Sequence, residues 1–282
     1  MLVPREYKLL LRPAMFRGDE RDEAIDHLWD RNLVRLLERT EDAEPDGEAF
    51  QKDEDRVIRF WDTRSRVLRS AGYVFRERVK LDKGKPIPKK RRVSLKYRNR
   101  DHGRAAVKDM RALDAENSET KLETDIGAAP GETPPIRLIF SHSTKQEIGE
   151  GKKLNRLDDP LKLFPKLGQG LDEEEAPFHA EDEISVVSGL QVHERIYEGP
   201  RAILAGAGTG FSLALWFKKG ESPKQSIPMI AELSFKLSAK DLSLGTDVID
   251  VAEDLFEQIQ KTGWFDPEST TKTRFVYRYR GP

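Results

Sequence analysis

Apolar and polar positions alternate with a period of two along many short runs of the chain, and follow a helical period in only a few. The pattern therefore predicts a sheet-rich fold with flanking helices. Glu6-Tyr7-Lys8-Leu9-Leu10-Leu11 reads as a strand stopped by Pro13. Arg56 to Asp62, Thr120 to Ile126, Ile136 to Phe140, Leu190 to Glu198, Phe211 to Lys218, Met229 to Leu237 and Arg274 to Arg280 read in the same way. So do Gly72 to Lys80 and Val93 to Asn99, joined by a loop that contains Gly84, Pro86 and Pro88. Helical spacing runs from Asp19, a candidate N-cap, to about Arg39, where Ile25, Leu28, Trp29, Leu33, Leu36 and Leu37 recur. A second helix is expected over Asp247 to Thr262, with an apolar stripe of Val248, Val251, Ala252, Leu255, Phe256 and Ile259 and with Gly263 at the capping position. A shorter one is expected over Arg104 to Leu113.

Residues 40 to 55 are polar and read as a loop. Residues 148 to 183 hold four Gly, three Pro and the acidic run Asp172 to Glu175, which predicts a long, partly mobile insertion within a single domain spanning 1 to 282. Many strands with few helices imply an α+β fold, an antiparallel sheet or barrel with helices beside it.

Composition narrows the classes. The hydrophobic share is 37%, with 13 Phe, 4 Trp and 6 Tyr, enough for a sizeable core rather than disorder. The absence of Cys removes disulfides, Cys-based zinc sites and thiol nucleophiles together. No apolar run approaches the roughly 18 residues of a membrane span, and Met1 to Leu11 lacks a signal-peptide pattern. A cytoplasmic protein without a membrane partner is the expectation. Lys and Arg number 49 against 50 Asp and Glu, so binding of nucleic acid by bulk positive charge is not expected. Nothing in the sequence decides for or against a homo-oligomer.

Placing the charges on the strands changes the picture. Arg76 and Arg78 share a face opposite Phe75 and Val79, and Lys96 and Arg98 lie opposite Leu95 and Tyr97. Glu123 and Asp125 oppose Leu122 and Ile126, and Glu232 and Lys236 oppose Leu233, Phe235 and Leu237. Glu6 and Lys8 oppose Tyr7 and Leu9, and Lys272 and Arg274 oppose Phe275 and Tyr277. A solvated face is the plain reading of any one pair. The sharper reading turns these faces into a closed barrel, because like charges two residues apart repel unless a ligand of opposite sign lies between them. Clustered Arg and Lys suit phosphate, and neighbouring carboxylates suit a hard cation such as Mg²⁺ or Mn²⁺.

In their order these segments resemble the CYTH family, the triphosphate tunnel metalloenzymes. The family's opening Glu-x-Glu-x-Lys corresponds to Pro4-Arg5-Glu6-Tyr7-Lys8, with proline in place of the first glutamate. Its aspartate-threonine turn and Arg-x-Arg strand correspond to Asp62-Thr63 and Arg76-Glu77-Arg78. Its phosphate-binding lysine strand corresponds to Val93-Ser94-Leu95-Lys96, and its acidic strand to Glu123-Thr124-Asp125. The late Glu-x-Glu-x-Lys reads Glu232-Leu233-Ser234-Phe235-Lys236, with Ser234 replacing an acid, and the basic end reads Lys272-Thr273-Arg274. The resemblance covers roughly residues 2 to 280.

It implies a closed antiparallel eight-stranded β-barrel, a tunnel fold with flanking helices. The implied activity is metal-dependent hydrolysis of inorganic triphosphate or a small organic triphosphate held in the tunnel. Lys8, Arg76, Arg78, Lys96, Arg195, Lys236, Lys272 and Arg274 would bind this small anionic substrate. Glu6, Glu123, Asp125 and Glu232 would hold Mg²⁺ or Mn²⁺, with Lys8 and Glu6 in catalytic roles. Pro4 and Ser234 remove two acids and motivate an alternative, a non-catalytic polyphosphate-binding module. An adenylate cyclase of the same family is the other. Of the remaining signals, Lys89 to Arg92 reads as a solvated hairpin loop, and Gly206 to Gly210 as a flexible turn without the Lys-Ser/Thr ending of a phosphate loop.

Overall fold

The computed structural model describes residues 2–223, 225–268 and 270–281. Nine strands are present among them: β1 (Arg5–Leu11), β2 (Ala43–Thr63), β3 (Tyr73–Asp82), β4 (Lys85–Asn99), β5 (Ser118–Ala128), β6 (Ile136–Glu147), β7 (Ile184–Leu204), β8 (Ala207–Lys218) and β9 (Ile230–Leu237). Hydrogen-bonded neighbours follow the order β1-β5-β6-β4-β3-β2-β7-β8-β9. The fold is α+β; β1–β9, β2–β3, β3–β4, β4–β6 and β8–β9 pair antiparallel, and β1 pairs parallel with β5. Nine strands thus stand where eight were expected, and one pair departs from the expected antiparallel sheet. The chain between β1 and β5 carries three further strands, ample length for the crossover that a parallel pair requires.

The chain divides into two compact units: Met1–Glu54, Thr124–Leu138 and Glu194–Lys272 form unit 1, and Asp55–Glu123, Ile139–His193 and Thr273–Pro282 form unit 2. In unit 1, Tyr7, Leu9 and Leu11 of β1 stand in register with Phe235, Leu233 and Ala231 of β9. Phe211, Leu213 and Leu215 of β8 continue that apolar face. Ile25, Leu28, Trp29, Leu33 and Leu37 cover it from one helical segment, and Val248, Ala252, Leu255, Phe256 and Ile259 from the helix Asp247–Gln260. Tyr7 stacks on Phe235 with centroids 4.7 Å apart. Each such fully buried side chain contributes roughly 1.5–3 kcal/mol relative to exposure. The first helix begins at Arg21 rather than behind Asp19, because Gly18–Glu20 forms a 3-10 turn that takes the expected cap into itself. It then passes through a π-helical stretch, Leu28–Leu33, before Val34–Leu37.

In unit 2 the apolar face consists of Tyr73 and Phe75 of β3 with Val93, Leu95 and Tyr97 of β4. It is covered by Leu154, Leu157, Phe164, Leu167 and Leu171. These belong to the segment expected to be a mobile insertion, which instead holds two short helices, Asp158–Leu163 and Leu167–Glu173. Its glycines and acids suggested a loop, yet both serve packing. A Cβ at Gly170 would collide with the Tyr73 hydroxyl, and Glu173 and Glu174 hold the buried Lys108 ammonium at 3.0 and 2.7 Å.

Three further expectations are corrected. Residues 40 to 55 are not a loop, since β2 begins at Ala43 and runs to Thr63. The helix expected over Arg104 to Leu113 is limited to His102–Val107, started by Asp101, whose side chain accepts from the Arg104 amide. The expected last strand is the helix Lys272–Arg278; Thr273, Val276 and Tyr277 are its buried residues, and their three- and four-residue spacing belongs to a helix. Lys272 and Arg274 therefore come from a helix, not from a strand. No helix among the described residues is long and apolar enough to cross a membrane.

Candidate functional site

The charged positions fall into two groups, one in each unit. In unit 2 the pleat of β3 sends Tyr73, Phe75 and Glu77 to the apolar side and Val74, Arg76 and Arg78 to the other. Residues in register share a face. Arg76 pairs with Ser94, Val74 with Lys96 and Arg78 with Arg92 across β3 and β4. Ser94 pairs with Lys145, Lys96 with Ser143 and Arg98 with Ser141 across β4 and β6. This face therefore gathers Arg76, Arg78, Lys96, Arg98 and Lys145 with three serine hydroxyls. Arg76 and Arg78 have other interactions, yet their Nε atoms are buried and hydrogen-bonded to nothing.

Burial pushes the Lys145 ammonium below the ordinary lysine range, and the nearby Lys121 and Arg78 cations push the same way against Glu119. Glu77 lies between Arg76 and Arg78 in sequence but does not neutralise them. Its buried carboxylate accepts from Arg91 Nε at 2.6 Å, Trp61 Nε1 at 3.0 Å and Arg59 Nη1 at 3.2 Å on the opposite side of the strand.

The aspartate-threonine turn is structural. Asp62 accepts from the amides of Thr63, Leu68 and Arg69 at 2.8, 3.0 and 3.0 Å, which starts the short helix Val67–Ser70. It also accepts from the Tyr277 hydroxyl at 2.7 Å, tying down the C-terminal helix. Burial pushes the Asp62 carboxyl up, while these four donors pull it back. Arg66 and Arg69 both lie against the Tyr277 ring, at 5.7 and 5.4 Å. Asp62, Thr63, Arg64 and Arg66 line a cavity of about 350 Å³ together with Glu183, Ser185, Val187 and Ser188.

In unit 1 acids and lysines stand on the same face. Glu6 is in register with Asp125 of β5 and with Lys236 of β9, and Lys8 with Ser234. Lys8 Nζ bridges Asp125 Oδ1 at 2.7 Å and Glu6 Oε2 at 2.8 Å. Burial alone would lower the charge of this ammonium, but Asp125, Glu6 and Glu232 hold it well above the usual lysine range. Lys272 Nζ bridges Glu232 Oε1 at 2.9 Å and Glu194 Oε1 at 3.3 Å. It lies 5.0 Å from the centroid of the Trp216 ring, whose Nε1 donates to Glu194 Oε1 at 2.6 Å.

Most expected site residues thus join one group or the other. Arg76, Arg78 and Lys96 belong to the first; Glu6, Lys8, Asp125, Glu232, Lys236 and Lys272 to the second. Glu123 is buried on the Asp125 side of β5 by alternation. Arg195 is not brought to the Glu194 side of β7. It lies beside Tyr197 and Arg21, with Tyr197 in the apolar core of unit 1. Glu194 and Lys145 were not anticipated. The signal for the first was the alternation Val192-x-Glu194-x-Ile196, with an acid on an otherwise apolar face. For the second it was Ser141-x-Ser143-x-Lys145, beyond the point where the strand was expected to stop.

The Mg²⁺ or Mn²⁺ that the resemblance implies does not fit this donor set. Among the described residues no three Asp, Glu or His side chains converge as ligands. Both carboxylate pairs of unit 1 are bridged by an ammonium, whereas Mg²⁺ needs oxygens at roughly 2.0–2.1 Å in near-octahedral array. Pro4 supplies β5 only a backbone carbonyl, which accepts from the Thr124 amide at 2.8 Å.

No protein-family model matches the chain, and no curated protein does. Among solved structures it is similar to a candidate adenylyl cyclase from Hippeastrum described as having a dominant triphosphatase activity. Identity there is 13% over 96% of this chain and 93% of that one, with a TM-score of 0.44. A candidate adenylate cyclase from Bacillus halodurans shows 12% identity over 97% of both chains, TM-score 0.41. Another from Vibrio parahaemolyticus shows 11% over 96% of this chain and 97% of that one, TM-score 0.34.

Proposed function

We propose that the chain is a CYTH-type protein, with 1–282 as one functional domain. Its ligand is the triphosphate group of inorganic triphosphate or a small organic triphosphate, and it hydrolyses the terminal anhydride. One observation carries the reading: the face of unit 2 on which Arg76, Arg78, Lys96, Arg98 and Lys145 stand together with Ser94, Ser141 and Ser143, while Glu77 is turned to the other side. Guanidiniums and ammoniums spaced along neighbouring strands suit successive phosphoryl groups, and they stabilise the charge that grows on a leaving pyrophosphate. Lys8 with Glu6 is the proposed water-orienting pair.

A second reading, binding without turnover, is favoured by one contact: Lys8 already occupies both Glu6 and Asp125. The deciding experiment offers inorganic triphosphate, ATP and other small triphosphates, each with Mg²⁺, Mn²⁺ or EDTA, and identifies the products. Phosphate release supports hydrolysis, and pyrophosphate from ATP supports a cyclase. Tight binding without products supports the second reading. Failure of every triphosphate to bind overturns all three.

A further inference from the structure

We infer that Lys272 is a tethered cation: its ammonium, held between Glu194 and Glu232 against Trp216, stands in for a divalent ion, so that the carboxylate face of unit 1 takes neither Mg²⁺ nor Mn²⁺. Glu194 is only 2% exposed. A carboxylate so buried needs a counter-ion and a donor, and it has both, Lys272 Nζ and the Trp216 indole N–H. Lys272 is fixed in turn. It opens the helix Lys272–Arg278, its side chain is 15% exposed, and its ammonium lies on the indole ring. A metal entering between Glu194 and Glu232 would have to expel this ammonium from a largely dry position while leaving the helix in place.

The neighbouring contacts repeat the arrangement. Lys8 bridges Glu6 and Asp125, and Lys236 stands opposite Glu6 across the β1–β9 ladder. Three lysines therefore face the carboxylates Glu6, Asp125, Glu194 and Glu232, with Glu123 on the same side of β5. The pairs Glu6–Asp125 and Glu194–Glu232 each already share an ammonium at the place a dication would bridge. The acids missing at Pro4 and Ser234 fit the same balance, since each would have added a negative charge that these lysines do not cover.

Titration of the full chain with Mn²⁺ alone, followed by electron paramagnetic resonance and by calorimetry, tests this without any triphosphate. The wild-type chain is expected to show no saturable Mn²⁺ binding, and the same melting temperature in Mn²⁺ and in EDTA. Lys272→Ala is expected to bind Mn²⁺ at least about tenfold more tightly than the parent, because two adjacent carboxylates lose their counter-ion. It should melt several degrees lower in EDTA and recover in Mn²⁺. Should that variant fail to fold, Lys272→Met combined with Glu194→Gln keeps the charge balance and an acceptor for the indole. This pair is expected to fold and to ignore Mn²⁺. Submillimolar Mn²⁺ binding by the wild type, no gain in a folded Lys272→Ala, or Mn²⁺ binding by the balanced double variant each overturns the proposal. Failure of every triphosphate to bind counts against the three triphosphate readings and leaves this inference standing.

Discussion

The charged face of unit 2 and that of unit 1 obey the same rule of alternation and reach opposite electrostatic results. On β3 the acid Glu77 points away from Arg76 and Arg78 and is consumed by Arg59, Arg91 and Trp61 on the apolar side. On β1 and β9 the acids Glu6 and Glu232 share a face with Lys8 and Lys236. One face crowds cations, with Glu119 at 3.4 Å from Lys145, and on the other acids and lysines alternate. The nearly equal totals of 49 basic and 50 acidic residues conceal both. What separates them is parity: acid and base fall on opposite sides of β3 and on the same side of β1 and β9. A compensated face holds its structure together, whereas a crowded cationic face is held by its structure.

The sharpest way to break that comparison is to remove one partner from each face and measure stability. Glu194→Ala leaves Lys272 partly unpaired beside a buried gap, and loss of one member of a buried ion pair costs about 3–5 kcal/mol. At ~2–4 °C per kcal/mol for chains approaching this size, calorimetry should record a fall of roughly 10 °C. Arg76→Ala removes one of several like charges and should shift the melting temperature far less. Equal losses would mean that the two faces are not different in kind.

Ligand affinity should show the reverse order. Hydrogen bonds to charged groups contribute about 1.5–3 kcal/mol, so Arg76→Ala and Arg78→Ala should each weaken tripolyphosphate about tenfold to hundredfold by calorimetric titration. Glu232→Gln should change that affinity little or raise it. A large loss with Glu232→Gln would place the anion on the wrong face.

How much of this was legible depended on whether alternation was interrupted. The common face of Arg76, Arg78 and Lys96 is legible because Phe75, Val79, Leu95 and Tyr97 mark the opposite side. The C-terminal Lys272 to Arg278 was misread because its basic residues alternate over a few positions, while its buried set, Thr273, Val276 and Tyr277, declares a helix. Residues 148 to 183 were misread from composition: Gly170 is there for close approach to Tyr73, and Glu173 and Glu174 for Lys108. Glu194 stands one place from Arg195 and points to the other side of β7. Partners as distant in sequence as Lys272 and Glu194, or Tyr277 and Asp62, are set by tertiary packing and leave no local trace.

Compensation also occurs in unit 2, on the apolar side of β4, and pH can test it. Burial would raise the Glu174 carboxyl, but Lys108 and Tyr97 hold it below the ordinary glutamate value. Its contribution is therefore present at neutral pH, above the unfolded value, and lost as pH falls through the depressed folded one. The expected loss is about 1 kcal/mol for a pair with one partly exposed member. Proteolysis of residues 148 to 183 should accelerate in acid in the parent chain. In Lys108→Met it should already be fast at neutral pH, with little further change on acidification.

The smallest effect probes the cationic face from the alkaline side. Burial, with Lys121 and Arg78 nearby, places the Lys145 ammonium below the usual lysine range. As pH rises through that lowered value the face loses one charge, while Arg76 and Arg78 keep theirs. Tripolyphosphate affinity should therefore decline at a pH where an ordinary lysine is still protonated, by no more than about tenfold. A bound anion favours the charged form, so the decline should begin at higher pH when the ligand is saturating. Lys145→Gln should bind more weakly throughout, with this step absent, and Lys145→Arg should hold its affinity into alkali. If the step survives in both variants, another group carries it, and the ammonium of Lys145 does not face the anion.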